Sequence, residues 1–158
     1  MVSFKFAFTH SAWATRTIMD VLETLPVPVV DQPVRGSYQS PLEILAHLVE
    51  VEESFLAAVR GNDPPPAITD YALDRSRWRL NALESGWQDA LLMTAARDTV
   101  YIPWLEQRLD RDDVLLQVLL HSQQHRSELA LLASMEGAEI PHTDYILMRT
   151  GWIGPSAS

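Results

Sequence analysis

Apolar residues recur at helical spacing in four long segments, and these segments set the expected architecture. The first runs from Phe4 to Leu25 and is stopped by Pro26 and Pro28. Ala7, His10, Ala14, Thr17, Ile18 and Val21 share one of its faces, with Trp13 on the flank. The second begins at Ser40-Pro41-Leu42-Glu43, a capping box with proline at the first helical position. The Ser40 hydroxyl is placed to accept from the Glu43 amide, and the Glu43 carboxylate to reach back. This helix is expected to end at Arg60, before Gly61 and Asn62. Ile44, His47, Val51, Ser54, Phe55 and Ala58 form its inward face. Leu45, Val49 and Leu56, interrupted by Glu52, form a second stripe facing away from His47, and a helix apolar on two sides has two partners.

The third helix is expected over about Asp70 to Ala96, through Tyr71, Trp78, Leu80, Leu83, Trp87, Leu91 and Leu92, with a poorly marked start. Arg97 to Arg111 reads as irregular, with a short strand at Thr99 to Ile102 ended by Pro103. The fourth helix carries Val114 to Met135, with Val114, Val118, His121, His125, Leu129 and Leu132 on one face. Asp110, Asp112 and Asp113 place negative charge at its start, where the helix dipole favours it, and Gly137 ends it. Thr143 and Asp144 are positioned to cap a last short helix through Met148. The expected fold is all-α: a four-helix bundle with a short extra C-terminal helix, one domain over 1–154, and a loose tail at 155–158. Long loops join helices one to two and three to four, so a short-looped up-and-down order is not required.

Composition narrows the partners. A net charge of −9 argues against nucleic acid and anionic membrane surfaces. No run approaches the ~18 apolar residues of a membrane span. The N-terminal stretch has Thr9, His10 and Ser11 where a signal peptide needs an unbroken apolar segment, so a cytoplasmic location is expected. With no cysteine in the chain, thiolate ligands and a cysteine nucleophile are excluded, and any thiol chemistry needs an external thiol.

His121 and His125 are the strongest chemical signal. Side chains at i and i+4 sit roughly 5–6 Å apart on one helix face, which suits two nitrogens converging on one ion. His47, on the inward face of the second helix, supplies a third imidazole if the two faces meet. Three neutral histidines bind a divalent transition ion and leave a position open for water, substrate or a thiolate. The plain alternative is a set of core histidines. His10 is either a proton carrier or substrate contact in the pocket, or a core histidine bonded to a backbone carbonyl. Glu50 and Glu128, each three residues after a histidine, are orienting carboxylates or bases, or else solvated helix-face glutamates. Arg126 lies away from the metal face and reads first as packing or a salt bridge, then as an anion contact. Trp13, Trp78, Trp87, Trp104 and Trp152 read as core or interface anchors, one or two of them walling an apolar substrate pocket.

In combination these residues resemble the DinB-like superfamily of metal-binding helical bundles. The resemblance rests on the first helix with His10 and Trp13, SPLEILAHLVEVEESFL with His47, LLHSQQHRSELALLASMEG with His121, His125 and Arg126, and IPHTDYIL with Asp144. One departure is Ser127, where glycine or alanine often follows the His-Arg pair. The resemblance implies an up-up-down-down bundle, a His47–His121–His125 triad on nickel, zinc or iron, and frequent homodimers. It also implies activities such as bacillithiol-using thiol transfer and mycothiol-using isomerisation. The expectation is therefore a metal-dependent transferase or hydrolase acting on a small molecule, with a non-catalytic metal- or ligand-binding bundle as the alternative. A homodimer is expected on a further ground: an isologous contact would bury Leu45, Val49 and Leu56.

Overall fold

The computed structural model describes residues 3–33, 39–93 and 99–152. The elements are α1 (Phe4–Glu23), α2 (Val27–Asp31), α3 (Pro41–Arg60), α4 (Leu73–Met93), β1 (Thr99–Ile102), a 3-10 turn (Pro103–Leu105), β2 (Gln107–Asp110), α5 (Arg111–Met135) and α6 (Tyr145–Arg149). The capping box forms as expected: the Ser40 amide donates to Glu43 Oε2 at 2.7 Å, and the Glu43 amide to Ser40 Oγ at 3.2 Å. Gly61, at φ 79°, closes α3 in the left-handed conformation that glycine adopts without steric cost.

Several boundaries differ from expectation. The proline-rich loop contains α2, because Pro28 sits in the first turn, where its missing amide would be unpaired anyway. The third helix begins later than expected, at Leu73, and is described as far as Met93; the expected end at Ala96 falls in residues 94–98, which lie outside the described ones. The segment read as irregular holds a second strand. Thr99 pairs with Asp110 and Ile102 with Gln107, in an antiparallel hairpin. β2 has no apolar alternation, so periodicity could not reveal it; ladder bonds to β1 and a left-handed Glu106 at φ 53° make it. The tail at 155–158 lies outside the described residues. No helix of the described residues is long and apolar enough to cross a membrane.

Each long helix touches two others. α1 packs on α4 and α5, and α3 packs on α4 and α5, so α1 and α3 lie across the diagonal. Gln88 reaches Thr9, Arg16 pairs with Glu84, and Arg77 pairs with Asp20, which makes α1 and α4 antiparallel. Glu53 pairs with Arg79, and Arg60 reaches the Gly86 carbonyl, so α3 and α4 run parallel. Ser11 and Thr15 meet Arg126 while Ile18 and Leu22 meet Leu129 and Leu132, so α5 runs with α1. Around the bundle, α1 and α5 therefore run one way and α3 and α4 the other. Along the chain the long helices run up, down, down, up, which corrects the up-up-down-down order that the resemblance implies: α3 and α4 are consecutive and parallel, and residues 61–72 between them are long enough to return along the bundle.

Two apolar clusters fill the bundle. One gathers Phe8, Val49, Phe55, Leu83, Trp87, Val114 and Val118. The other gathers Ile18, Met19, Leu22, Leu45, Leu80, Leu129 and Leu132. Phe8 stacks on Trp87 with ring centroids 4.3 Å apart. Of the tryptophans read as anchors, Trp87 is in the core, while Trp78 and Trp152 are exposed.

The stripe assigned to a second copy is a correction. Leu45 and Val49 are 0% exposed and Leu56 is 7% exposed within this one chain. α4 supplies the cover: Leu80 joins Leu45, and the helix comes so close at Gly86 that an added Cβ would lie 2.6 Å from Leu56 Cδ2. The dimer expectation loses the ground on which the stripe placed it. Val49→Glu and Leu56→Glu are accordingly expected to lower unfolding stability by about 3 kcal/mol or more, as unpaired buried charges do. Denaturant titration checks this; wild-type midpoints with altered association would restore the interface.

Glu52 is 4% exposed and accepts a 2.6 Å hydrogen bond from the Ser122 hydroxyl. Burial raises its carboxyl above the ordinary value, against the lowering effects of Ser122 and Arg126. A raised native pKa means that its stabilising contribution is present below the unfolded value of 4.5 and is lost as pH rises through the native value. Glu52→Gln keeps an acceptor for Ser122 without the charge. Its stability relative to the parent is therefore expected to rise between acidic and alkaline pH in urea titrations. An equal difference at both ends of the range would contradict the buried-carboxyl account.

Candidate metal centre

The inward stripe of α3 meets the His-bearing face of α5, and the three imidazoles converge. Ring centroids lie 5.2 Å apart for His47 and His121, 5.1 Å for His47 and His125, and 4.5 Å for His121 and His125. One nitrogen from each ring can be chosen so that all three lie within 4.8 Å of one another. α3 holds His47 between the buried Ile44 and Leu48, and α5 holds the pair one turn apart. All three side chains are half-buried, so the group sits where the core opens to solvent rather than sealed inside.

Electrostatics disfavours protonation of His121 and His47. Burial first, then His125 and His47, push His121 down to about 4. His47 is lowered first by burial and then by His125, while Glu50 and Glu128 oppose the shift. Neutral imidazoles are the ligating form, so neither ring must lose a proton to bind an ion near neutrality. His121 Nδ1 is buried without a hydrogen-bond partner among the described residues. His125 Nδ1–H donates to Glu128 Oε2 at 3.1 Å, which fixes the tautomer and leaves Nε2 free. An all-nitrogen donor set, an orphaned imidazole nitrogen and an orienting carboxylate together fit a divalent transition ion held by His47, His121 and His125.

The other candidates separate. Glu50 is half-buried on α3, close enough for its charge to act on His47 and Arg79. His10 is not in the group. Its Nε2–H donates to the Thr143 carbonyl at 2.7 Å, and its ring packs against Tyr145 and Trp13. His142 is exposed, 3.6 Å from Asp144. Arg126 turns away from the triad and donates to Ser11, Thr15 and Gln123; burial lowers it to about 10. Sequence reasoning did not anticipate the buried Glu52–Ser122 contact. Its one signal was a carboxylate interrupting the apolar stripe Leu45, Val49 and Leu56.

His47→Ala, His121→Ala and His125→Ala should each reduce bound metal to a minor fraction, while His142→Ala retains it. Glu128→Ala keeps all three ligands and should weaken binding roughly 10–100-fold, as loss of an orienting partner does. Elemental analysis and metal titration check these outcomes; stoichiometric metal in the three triad variants would remove the site.

A search of curated proteins finds no match to the chain. A family model described as DinB family matches residues 1–152. That span takes in all four long helices, the hairpin and the three converging histidines. The chain therefore belongs to the DinB family.

Proposed function

We propose that this DinB family protein is a metal-dependent enzyme, a thiol-dependent transferase or hydrolase acting on a small molecule. One observation carries the reading: three imidazoles converge at a half-buried edge of the core, with one nitrogen of each within 4.8 Å of the others, and a three-histidine set leaves a coordination position open for a further ligand. A donor set of this kind suits nickel, zinc or iron rather than magnesium or calcium. When bound, such an ion lowers the pKa of a coordinated water or external thiol and so makes a nucleophile available near neutrality.

The chain's own residues do the rest. His47, His121 and His125 fix the ion between α3 and α5, and Glu128 orients His125 through Nδ1. Glu50, whose charge reaches His47, is assigned as the base that accepts the nucleophile's proton. Its partial exposure lets that proton pass to solvent. His10, held by Thr143 and lining a separate cavity, is not assigned to this step. A cavity of about 620 Å³ beside Gly61 and the hairpin shares no residue with the triad and is not assigned to substrate.

Protein loaded with nickel, zinc, iron or manganese should be assayed for thiol conjugation and for hydrolysis, with and without a low-molecular-weight thiol. The expected result is metal-dependent turnover that His125→Ala abolishes. Glu50→Gln should lower kcat about 10²-fold or more at unchanged metal content, as loss of a general base does. Fully metallated protein that turns over nothing in either reaction class would leave a non-catalytic metal-binding bundle instead.

A further inference from the structure

A second constellation lies on the other side of α5. At ~100° per residue, Leu119, Gln123 and Arg126 sit roughly opposite His121 and His125. Together with Ala7, Ser11 and His10 of α1, and with Tyr145 of α6, they line a cavity of about 240 Å³. It shares no residue with the metal triad.

Its floor is charged and its walls are largely apolar. Arg126 is 5% exposed. Nη1 donates to Ser11 Oγ at 2.7 Å, Thr15 Oγ1 at 3.3 Å and the Ser11 carbonyl at 3.5 Å; Nη2 donates to Gln123 Oε1 at 2.9 Å. Every one of these acceptors is neutral. Arg126 is in no ion pair among the described residues, although a buried charge ordinarily has a direct counter-ion. Glu52 is the carboxylate whose charge reaches it, but Glu52 spends Oε1 on Ser122 and is pushed by burial toward its neutral form. The hydrogen bonds thus orient the guanidinium without neutralising it. His10 is pinned by its bond to Thr143, and Tyr145 stands edge-on to it at 5.3 Å. Ala7, Leu119 and the Tyr145 ring supply apolar surface beside the cation.

We propose that this cavity is a binding site for a small organic monocarboxylate, its carboxylate on Arg126 and its short apolar body between Ala7, Leu119 and Tyr145. A planar guanidinium matches a carboxylate, and a single fixed cation balances one negative charge. The volume admits a body of a few carbon atoms or one ring. Phosphate would bring more charge and no apolar body, into a chain whose net charge is already −9. The site does not depend on the metal reading, because no triad residue lines it.

The test uses the full chain without metal, so its outcome is separate from that of the metal and activity assays. Butyrate, benzoate, inorganic phosphate and chloride are titrated while amide chemical shifts of α1, α5 and α6 are followed. Saturable shifts are expected for butyrate and benzoate, centred on Ala7, Arg126 and Tyr145. Two variants read the two halves of the site. Arg126→Lys keeps the charge but loses the planar fork, and Leu119→Trp fills the apolar half while leaving Arg126 in place. Each should weaken carboxylate binding roughly tenfold or more, about 1.4 kcal/mol. Thermal unfolding confirms that each variant is folded, and one folded variant is enough to decide. Equal shifts with phosphate or chloride would overturn the carboxylate assignment. Absence of saturable shifts, or unweakened binding in a folded variant, would overturn the site and leave Arg126 a structural tie.

Discussion

Eight consecutive polar residues, His121 to Glu128, cross the middle of α5, the helix that packs against both α1 and α3. A helix in that position cannot keep all of them in water. Ser122 and Arg126 are buried outright, and His121 and His125 half so. Buried polar groups must be bonded, and this requirement organises the middle of the bundle. On the α3 side Ser122 donates to Glu52 and the histidines meet His47. On the α1 side Arg126 donates to Ser11 and Thr15. The two apolar clusters close above and below this layer. They supply most of the burial, while the polar layer fixes which residues of α3 and α1 stand opposite which residues of α5.

The two faces of α5 handle charge in opposite ways. Toward α3, burial and the neighbouring imidazoles disfavour protonation of His47 and His121, which therefore offer lone pairs. Toward α1, a guanidinium remains cationic although buried, because several hydroxyl and amide oxygens solvate it in place of water. One face is built to receive a cation and the other to hold one. Adjacent residues, His125 and Arg126, serve these opposed roles because 100° of helical rotation directs them to different neighbours.

The expectations that survived were local ones. The capping box needs only Ser40 and Glu43, and it formed. The His121–His125 spacing places both rings on one face whatever surrounds the helix. Inward faces followed from periodicity, which is why His47 was placed correctly without knowing how α3 meets α5. The failures were non-local. β2 is a strand only because β1 lies beside it. The cover for Leu45, Val49 and Leu56 was expected from a second copy, whereas α4, a long helix with its own apolar residues, was already in the chain.

The sequence by itself determined the helical class, the limits of α3, the two-sided burial of that helix and the identity of the three converging histidines. These depend on interactions within a few residues, where propensity, capping and the 3.6-residue period act. Only the tertiary structure decided that α4 closes over α3 at Gly86, that Glu52 and Arg126 are drawn into the interior, and that His10 is tied to Thr143, 133 residues away. Those outcomes depend on which helices become neighbours and in which direction they run. That is settled by the joint burial of several faces at once, and no single segment carries a record of it.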